Sequence, residues 1–180
     1  NVSDMSKWVM MQLNGGSYGN GPAQRIFSEA AHREMWTPQT IRPVSEEGGY
    51  RSHFAAYGLG WNLSDKNGYL QVSHTGGHSG IVTQVTMIPE LRLGIIVLTN
   101  QEEVSAFTAI TNSIIDGYLG VRNHDRVREL KARMLKQQAE AKEITDRVWT
   151  TVEAKRKESS AETDLKGFEG TYTDAWFGDV

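Results

Sequence analysis

The stretch His74-Thr75-Gly76-Gly77-His78-Ser79-Gly80 decides how the rest of this chain is interpreted. It holds three glycines, two histidines and two hydroxyl side chains in seven residues. Glycines at this density let a backbone turn sharply and let another molecule approach it closely, and the polar side chains among them can contact that molecule. The stretch is therefore a candidate wall of a binding or catalytic cleft. A glycine-rich bend between two strands is the plainer alternative.

The segments around this stretch predict an antiparallel sheet. Strands are predicted around 56–61, at 69–73, at 81–88 and at 93–98. Asn67-Gly68 between apolar runs is a strong hairpin signal, so the strand at 69–73 leads directly into His74. The run 93–98 is nearly all apolar, which is typical of a central strand covered on both faces. Strands joined by connections this short have to pair antiparallel.

Helical patterns lie before and after the predicted strands. A helix is predicted over 2–13 with Ser3 as its N-cap, and a second over 25–36, ended by Thr37-Pro38. A third is predicted over 103–119. The residues expected on its buried side are Phe107, Ile110, Ile114, Ile115 and Leu119. The predicted fold class is α+β, an antiparallel sheet flanked by helices.

The composition changes at about Arg122. Residues 125–158 contain neither Gly nor Pro and predict one long charged helix, with 159–164 as a linker. Its apolar stripe has a heptad character that Gln137 interrupts, and it comprises Val127, Leu130, Met134, Ala141, Ile144 and Val148. Residues 165–180 return to a β-like pattern, but one or two strands cannot bury four aromatic side chains. We expect three parts, 1–120, 121–164 and 165–180, in a chain that begins and ends inside larger domains.

The composition excludes several classes of function. A net charge of −3 gives no indication of nucleic-acid binding, and no apolar run reaches the length of about 18 residues that a membrane helix needs. The chain has no cysteine, which excludes disulfides, thiol catalysis and Cys-zinc sites. No cofactor is expected.

Three catalytic or metal motifs can be compared with the letters of the sequence. His74 and His78 have the four-residue spacing of a helical zinc site, but two glycines separate them and no third ligand is near, so no metal is expected. A nucleophile elbow fails because Gly80 comes one residue early. Tyr18-Gly19-Asn20 spells a Tyr-x-Asn motif, which we interpret as a chance match in a polar loop. Solvation or packing is the expected role of the other histidines, which are His32, His53 and His124.

Tyr57-Gly58-Leu59-Gly60-Trp61, then His74-x-Gly76-x-x-x-Gly80, two strands ending in Leu98-Thr99-Asn100 and a helix form an ordered series. This series resembles the C-terminal part of the serine hydrolases related to class C β-lactamases. That family includes penicillin-binding-protein-like enzymes, esterases and D-amino-acid peptidases. The resemblance covers about residues 1–120, and 168–180 resembles the start of a small β-barrel extension often appended to these enzymes.

The resemblance implies a role for each residue of the opening stretch. In this family the chemistry needs a Ser-x-x-Lys motif, a Tyr-x-Asn motif and a Lys-Thr-Gly or His-x-Gly strand, and His74-Thr75-Gly76 matches the third. His74 and the Gly77 N–H are then the catalytic groups, with Gly77 as an oxyanion donor. Thr75, Gly76 and His78 are then the substrate-binding residues.

The first element of that site is missing from this sequence. No serine is followed three residues later by lysine, so we expect the chain alone to be inactive. The resemblance implies a parent protein that transfers an acyl group to serine and hydrolyses an ester, amide, peptide or β-lactam. It also implies a small-molecule or peptide substrate and a periplasmic or secreted location. The alternative is a non-enzymatic module that binds a partner through 125–158, or associates with itself through that helix or an exposed strand edge.

Overall fold

Six antiparallel strands organise the first part of the computed structural model, which describes residues 1–19, 24–44, 47–158 and 164–179. The chain forms two compact units, Asn1–Met134 and Leu135–Val180. The helices are α1 (Val2–Leu13), α2 (Glu29–Met35), α3 (Val104–Leu119) and α4 (Arg126–Glu158). The strands of the large sheet are β3 (Thr40–Ile41), β4 (Ala55–Tyr57), β5 (Asn62–Lys66), β6 (Tyr69–His78), β7 (Ile81–Ile88) and β8 (Leu93–Leu98), and they pair in that order. The predicted α+β class is confirmed.

The Asn67-Gly68 turn sets the register on which the sheet depends. Both residues have positive φ, 53° and 87°, as a tight two-residue hairpin requires. The turn joins β5 to β6, with Lys66 opposite Tyr69. The strand predicted around 56–61 is wrong in its bounds, because the chain turns at Gly58–Trp61 and separates β4 from β5.

Helix α1 begins and ends where the sequence predicts, but its cap differs. The side chain of Asn1 accepts a hydrogen bond from the Asp4 N–H at 3.2 Å, so Asn1 and not Ser3 is the N-cap. Helix α2 is shorter than predicted. Ser28 caps it, and Gln24–Arg25 instead forms β2, which pairs with β1 (Ser17–Tyr18).

Each face of the sheet carries its own apolar core. The α1 side buries Val9, Trp61, Leu63, Val72, Val85 and Met87. The α3 side buries Ile88, Leu93, Ile95, Val97, Phe107 and Ile115. On β8, Leu93, Ile95 and Val97 of the α3 face are buried, whereas on the α1 face Ile96 is half-buried and Leu98 is 44% exposed. Strand β8 is therefore covered fully on one face and in part on the other, and the prediction of two covered faces is confirmed only in part. The strand is not central, since over the described residues it pairs with β7 alone.

Helix α3 buries a different set of residues from the one that its sequence predicts, and this set includes Ala109 and Asp116. Phe107, Thr111 and Ile115, which are spaced four residues apart, are buried against the sheet. Ile110 and Ile114 are exposed, because they point to the side of this face, and the prediction that they are buried is wrong. Gly120 ends the helix in the left-handed conformation.

The first residue of α4 is held by a buried ion pair. Arg126 donates to both carboxylate oxygens of Asp116, at 2.6 and 2.8 Å, and to the Gly48 carbonyl at 2.7 Å. The Tyr50 hydroxyl donates to the same carboxylate at 2.6 Å. The start of the long helix is therefore fixed to α3 and to the loop before β4.

The second unit has no comparable core among its described residues. Helix α4 is continuous over 33 residues, as predicted. Beyond it lie a short 3-10 turn at Leu165–Phe168 and a hairpin of β9 (Thr173–Asp174) and β10 (Gly178–Asp179). Trp176 and Phe177 are 91% and 82% exposed, so the expectation that two strands cannot bury these aromatic side chains is confirmed. The predicted linker lies outside the described residues except for Asp164, and the three-part division stays a prediction.

No helix among the described residues combines the length and the apolar character that crossing a bilayer requires.

Gly58 has no room for a side chain. A Cβ placed there would lie 2.3 Å from the Met35 carbonyl oxygen, at the point where the Leu59 N–H donates to that same oxygen. Gly58→Ala is therefore expected to destabilise the protein by about 1–3 kcal/mol through overpacking against backbone. Urea unfolding measures this free energy, and an unchanged midpoint would contradict the expectation. The control is Gly117→Ala in α3, where a Cβ meets nothing within 4 Å and helix propensity predicts a gain of about 0.5–1 kcal/mol.

Candidate active site

The opening stretch is a strand rather than a bend. Strand β6 continues through Tyr69–His78, and Val72 to His78 pair with β7 without interruption. The predicted strand at 69–73 is therefore too short, and the reversal is confined to Ser79 and Gly80, where Gly80 has a φ of +80°. The Glu102 carboxylate accepts the Gly80 N–H at 2.6 Å and holds this turn.

Half of β6 has a neighbour on one side only. Strand β5 pairs with β6 as far as Ser73, opposite Asn62. From His74 to His78 the strand is paired with β7, and over the described residues its other edge has no strand beside it. An unpaired edge presents main-chain donors and acceptors to whatever lies next to it.

The register decides which N–H groups face that edge. The Val82 carbonyl accepts hydrogen bonds from the Thr99 N–H at 3.2 Å and from the Thr99 hydroxyl at 2.6 Å. The main-chain hydrogen-bonding groups of Val82 therefore point toward β8 and away from β6. Gly77 lies opposite Val82, and Thr75 lies opposite Gln84, two residues farther along β7. Because donor direction alternates along an antiparallel ladder, the N–H groups of Thr75 and Gly77 point away from β7, to the unpaired edge.

The side chains of the stretch divide between the two faces of the sheet. His74 lies opposite Val85 and Gly76 opposite Thr83, on the α1 face. Thr75 shares the α3 face with Gln84, which bonds to Thr111 of α3. The side chains of His74, Thr75 and His78 are exposed.

A tyrosine contacts the histidine of this stretch. The Tyr57 hydroxyl lies 3.0 Å from His74 Nε2. Tyr57 pairs with Asn62, which pairs with Ser73, so the register across β4, β5 and β6 sets Tyr57 level with Ser73, the residue before His74. The sequence predicts Tyr57 only as part of the Tyr-Gly-Leu-Gly-Trp motif. The signal that could have revealed its contact with His74 is the spacing across the hairpin.

That motif also builds an apolar groove beside His74. Trp61 is buried and stacks on Trp8 of α1, with ring centroids 5.3 Å apart. The groove has a volume of about 380 Å³. It is bounded by Met5, Trp8, Met35, Trp61 and Val85 on its apolar side and by His74, Thr75 and Gly76 at the strand. The candidate catalytic strand therefore lies at the margin of an apolar surface.

The family model for β-lactamases matches residues 1–116, which include the groove and the whole of β6. The chain belongs to the β-lactamase family. Among curated proteins it is similar to unguisins hydrolase ungD of Aspergillus violaceofuscus, at 30% identity over 133 residues. It is also similar to unguisins hydrolase ungD′ of Aspergillus campestris, at 28% identity over 123 residues. These matches cover 69% and 67% of the chain but only 23% and 21% of the two relatives.

Over the residues that it describes, the structure gives no catalytic geometry to the other motifs and histidines that the sequence singles out. Tyr18 lies in β1, and Asn20 of the Tyr-x-Asn spelling lies outside the described residues. His53 lies 2.9 Å from Asp65, and His124 lies 2.9 Å from Glu129. Burial lowers the pKa of His32. Among the described residues, no three His, Asp or Glu side chains come together as metal ligands.

Tyr57→Phe removes the one hydroxyl that the structure places against the His74 ring. We expect the tautomer populations of His74 to change, because the partner of one ring nitrogen determines which nitrogen carries the proton. The ¹⁵N chemical shifts of the ring nitrogens measure this directly. Tyr118→Phe is the control, since Tyr118 is exposed on α3. His74 shifts that are the same in Tyr57→Phe and in the unmodified protein would contradict the expectation.

Proposed function

We propose that this chain forms the third catalytic wall of a serine hydrolase of the β-lactamase family. The parent protein transfers an acyl group to serine and hydrolyses an ester, amide, peptide or β-lactam. The observation that carries the proposal is the unpaired edge of β6, toward which the Gly77 N–H is directed. The chain spans less than a quarter of the length of the curated relatives it matches. Because its sequence contains no Ser-x-x-Lys, we assign the nucleophile to the parent protein.

The Gly77 N–H serves as one donor to the oxyanion of the acyl intermediate. A donor of this kind contributes most when it is held in place before charge develops. The pairing of Gly77 with Val82 supplies that rigidity, since β7 fixes the strand from the other side. Gly76 keeps the strand close to its neighbour, because a Cβ at Gly76 would lie 2.7 Å from Thr83 Oγ1. Thr75 and His78 contact the substrate on either side.

His74 acts as a proton link that Tyr57 holds in orientation. A histidine can accept or donate a proton near neutral pH, and its second partner fixes the direction of that exchange. The hydroxyl of Tyr57 supplies this second partner at 3.0 Å. The apolar groove beside His74 receives the segment that carries the nucleophile. Its stacked tryptophans, Trp8 and Trp61, provide an apolar surface next to the reacting atoms against which that segment packs. A periplasmic or secreted location of the parent is part of the same proposal.

The test of the first part of this proposal is an activity assay on the purified 180-residue chain. With a chromogenic β-lactam or a p-nitrophenyl ester, we expect no turnover above the buffer rate, because the sequence contains no Ser-x-x-Lys. The longer parent protein, assayed in parallel, is expected to hydrolyse at least one of these substrates. Robust turnover by the 180-residue chain that is lost on serine modification would overturn the proposal.

A second candidate function is partner binding or self-association through α4. The observation that favours it is a group of exposed apolar side chains on the distal half of this helix, Ile144, Val148, Trp149 and Val152. If this stripe binds a second copy, light scattering shows a mass that rises with concentration, and Val148→Glu restores the monomer. A monomer at high concentration in the unmodified chain would contradict self-association.

A further inference from the structure

A polar cavity lies on the face of the sheet opposite to His74. Its volume is about 220 Å³, several times the share of one water molecule, which is about 30 Å³. Its lining includes side chains from β5, β6, β7 and α3, namely Lys66, Gln71, Gln84, Thr86, Thr111 and Asn112. No proposed role of the His74 strand uses this cavity.

Thr86 brings an unsatisfied hydroxyl to the cavity. The residue is 1% exposed, and its Oγ1 has no hydrogen-bond partner among the described residues. Burying a hydroxyl without a partner costs free energy, so such an atom usually indicates a bound group or an ordered water molecule. Thr86 lies two residues from Gln84 on β7 and therefore shares its face.

Lys66 brings a positive charge that lacks a carboxylate partner. Its ammonium lies 3.8 Å from the centroid of the Tyr50 ring, and no described carboxylate lies within ion-pair distance of it. Desolvation by burial, together with the charge of Arg126, lowers the pKa of Lys66 to about 8. A bound negative charge would offset the free-energy cost of burying the Lys66 ammonium, because it favours the charged form of the lysine.

The remaining donors converge on the same space. The Thr111 hydroxyl donates to Gln84 Oε1 at 2.7 Å, which leaves the Gln84 amide N–H groups available as donors. Arg133 adds a second positive charge to the lining. The lining residues that the structure describes include no aspartate or glutamate. The nearest acidic group of the network, Asp116, is already bonded to Arg126 and Tyr50.

We propose that this cavity binds a small oxyanion, a phosphate or a carboxylate, through Lys66, Thr86 and Gln84. The lysine supplies the charge, and the hydroxyl and amide supply directional hydrogen bonds. The three side chains have no role in the acyl transfer proposed above, and the cavity lies on the sheet face opposite to His74 and the apolar groove. It would couple ligand binding to the stability of the α3–sheet contact.

The test is thermal unfolding of the complete 180-residue chain at pH 7. Inorganic phosphate and acetate are titrated separately against chloride at equal ionic strength. We expect a saturable rise in melting temperature with at least one of the two, and the anion that saturates identifies the ligand class. A rise that is linear in every anion is the general effect of excluded salts and would overturn the proposal, as would no rise.

Three variants assign the effect to the cavity. Lys66→Met is expected to weaken the saturable response about tenfold, the loss of one charge-assisted hydrogen bond. Thr86→Val keeps the shape of the side chain, is expected to fold at least as stably in chloride, and should weaken the response as well. Lys7→Met removes one charge from an exposed position on α1 and should leave the response unchanged. Equal responses in all three variants would overturn the proposal.

Discussion

Arg126→Met is expected to lower the free energy of unfolding by about 3–5 kcal/mol, the cost of removing one partner from a buried ion pair. Methionine fills much of the space of the arginine but leaves the Asp116 carboxylate without the cation that donates to both of its oxygens. The Tyr50 hydroxyl and the Gly48 carbonyl belong to the same network. Urea unfolding monitored by circular dichroism measures the loss.

The matched control for this variant lies two residues along the same helix. Arg128 is exposed on α4, so Arg128→Met removes the same charge without uncovering a buried group. We expect it to change stability by less than about 0.5 kcal/mol. Equal effects of the two substitutions would show that the charge of the helix, and not the buried pair, determines stability.

Acid unfolding provides a second measurement on the same pair. Burial alone would raise the pKa of Asp116, but hydrogen bonds from Arg126 and Tyr50 and the charge of Arg126 lower it. A carboxyl whose pKa is lowered by folding stabilises the protein above the ordinary range near 4. This contribution is lost as the pH falls through the lowered pKa. Arg126→Met should remove this part of the acid dependence.

Gly77→Pro in the complete parent protein is expected to reduce kcat by about 10²–10³, the effect of deleting one oxyanion donor. Proline removes the N–H and places its ring Cδ at the same edge, but this N–H faces the unpaired edge of β6 and makes no bond to β7, so the strand pairing is kept. Proline is tolerated where the N–H would point out of the sheet, and Gly77 does not have a left-handed φ. Steady-state kinetics with the best substrate of the parent protein measure the change, and an unchanged melting temperature shows that the fold persists.

Gly77→Ala is the control that distinguishes the effect of the N–H donor from the effect of the free space beside the backbone. A Cβ at Gly77 meets nothing within 4 Å, and alanine retains the N–H, so kcat should stay within about threefold of the unmodified enzyme. A large loss in Gly77→Ala would indicate that close approach of substrate to this backbone matters more than its donor. Full activity in Gly77→Pro would contradict the oxyanion role.

Local patterns in the sequence predict the elements whose geometry is local. The bounds of α1 and β7 follow from periodicity of 3.6 and of 2, and the Asn67-Gly68 hairpin follows from two residues that tolerate positive φ. The apolar run of β8 correctly predicts the buried α3 face but overestimates how far the α1 face is covered, since Leu98 is 44% exposed. It cannot predict how many strands flank β8, because hydrophobicity reports burial of side chains and not pairing of main chains.

Contacts across several strands are not visible in the sequence. The Tyr57–His74 contact depends on the registers of two strand pairs in succession. Arg126 lies in the segment that the sequence predicts as a charged helix, and Asp116 lies in the preceding apolar helix, so neither pattern predicts that the two residues form a buried pair. The five residues predicted for the site lie together on β6, as any continuous strand ensures, but their catalytic and binding roles stay predictions.

Along the unpaired half of β6, the direction of each main-chain N–H and C=O depends on the position of its residue in the strand and not on the type of residue. The groups directed outward belong to alternate residues, Thr75 and Gly77, and the side chains of these residues lie on the α3 face. Deleting a single residue between Ser73 and His78 would turn the outward groups inward and exchange the two sets of side chains across the sheet. Most substitutions leave the direction of these main-chain groups unchanged, whereas a change in the length of the strand alters it. Across relatives, the number of residues between the β5–β6 turn and the β6–β7 turn should therefore vary less than the residues themselves.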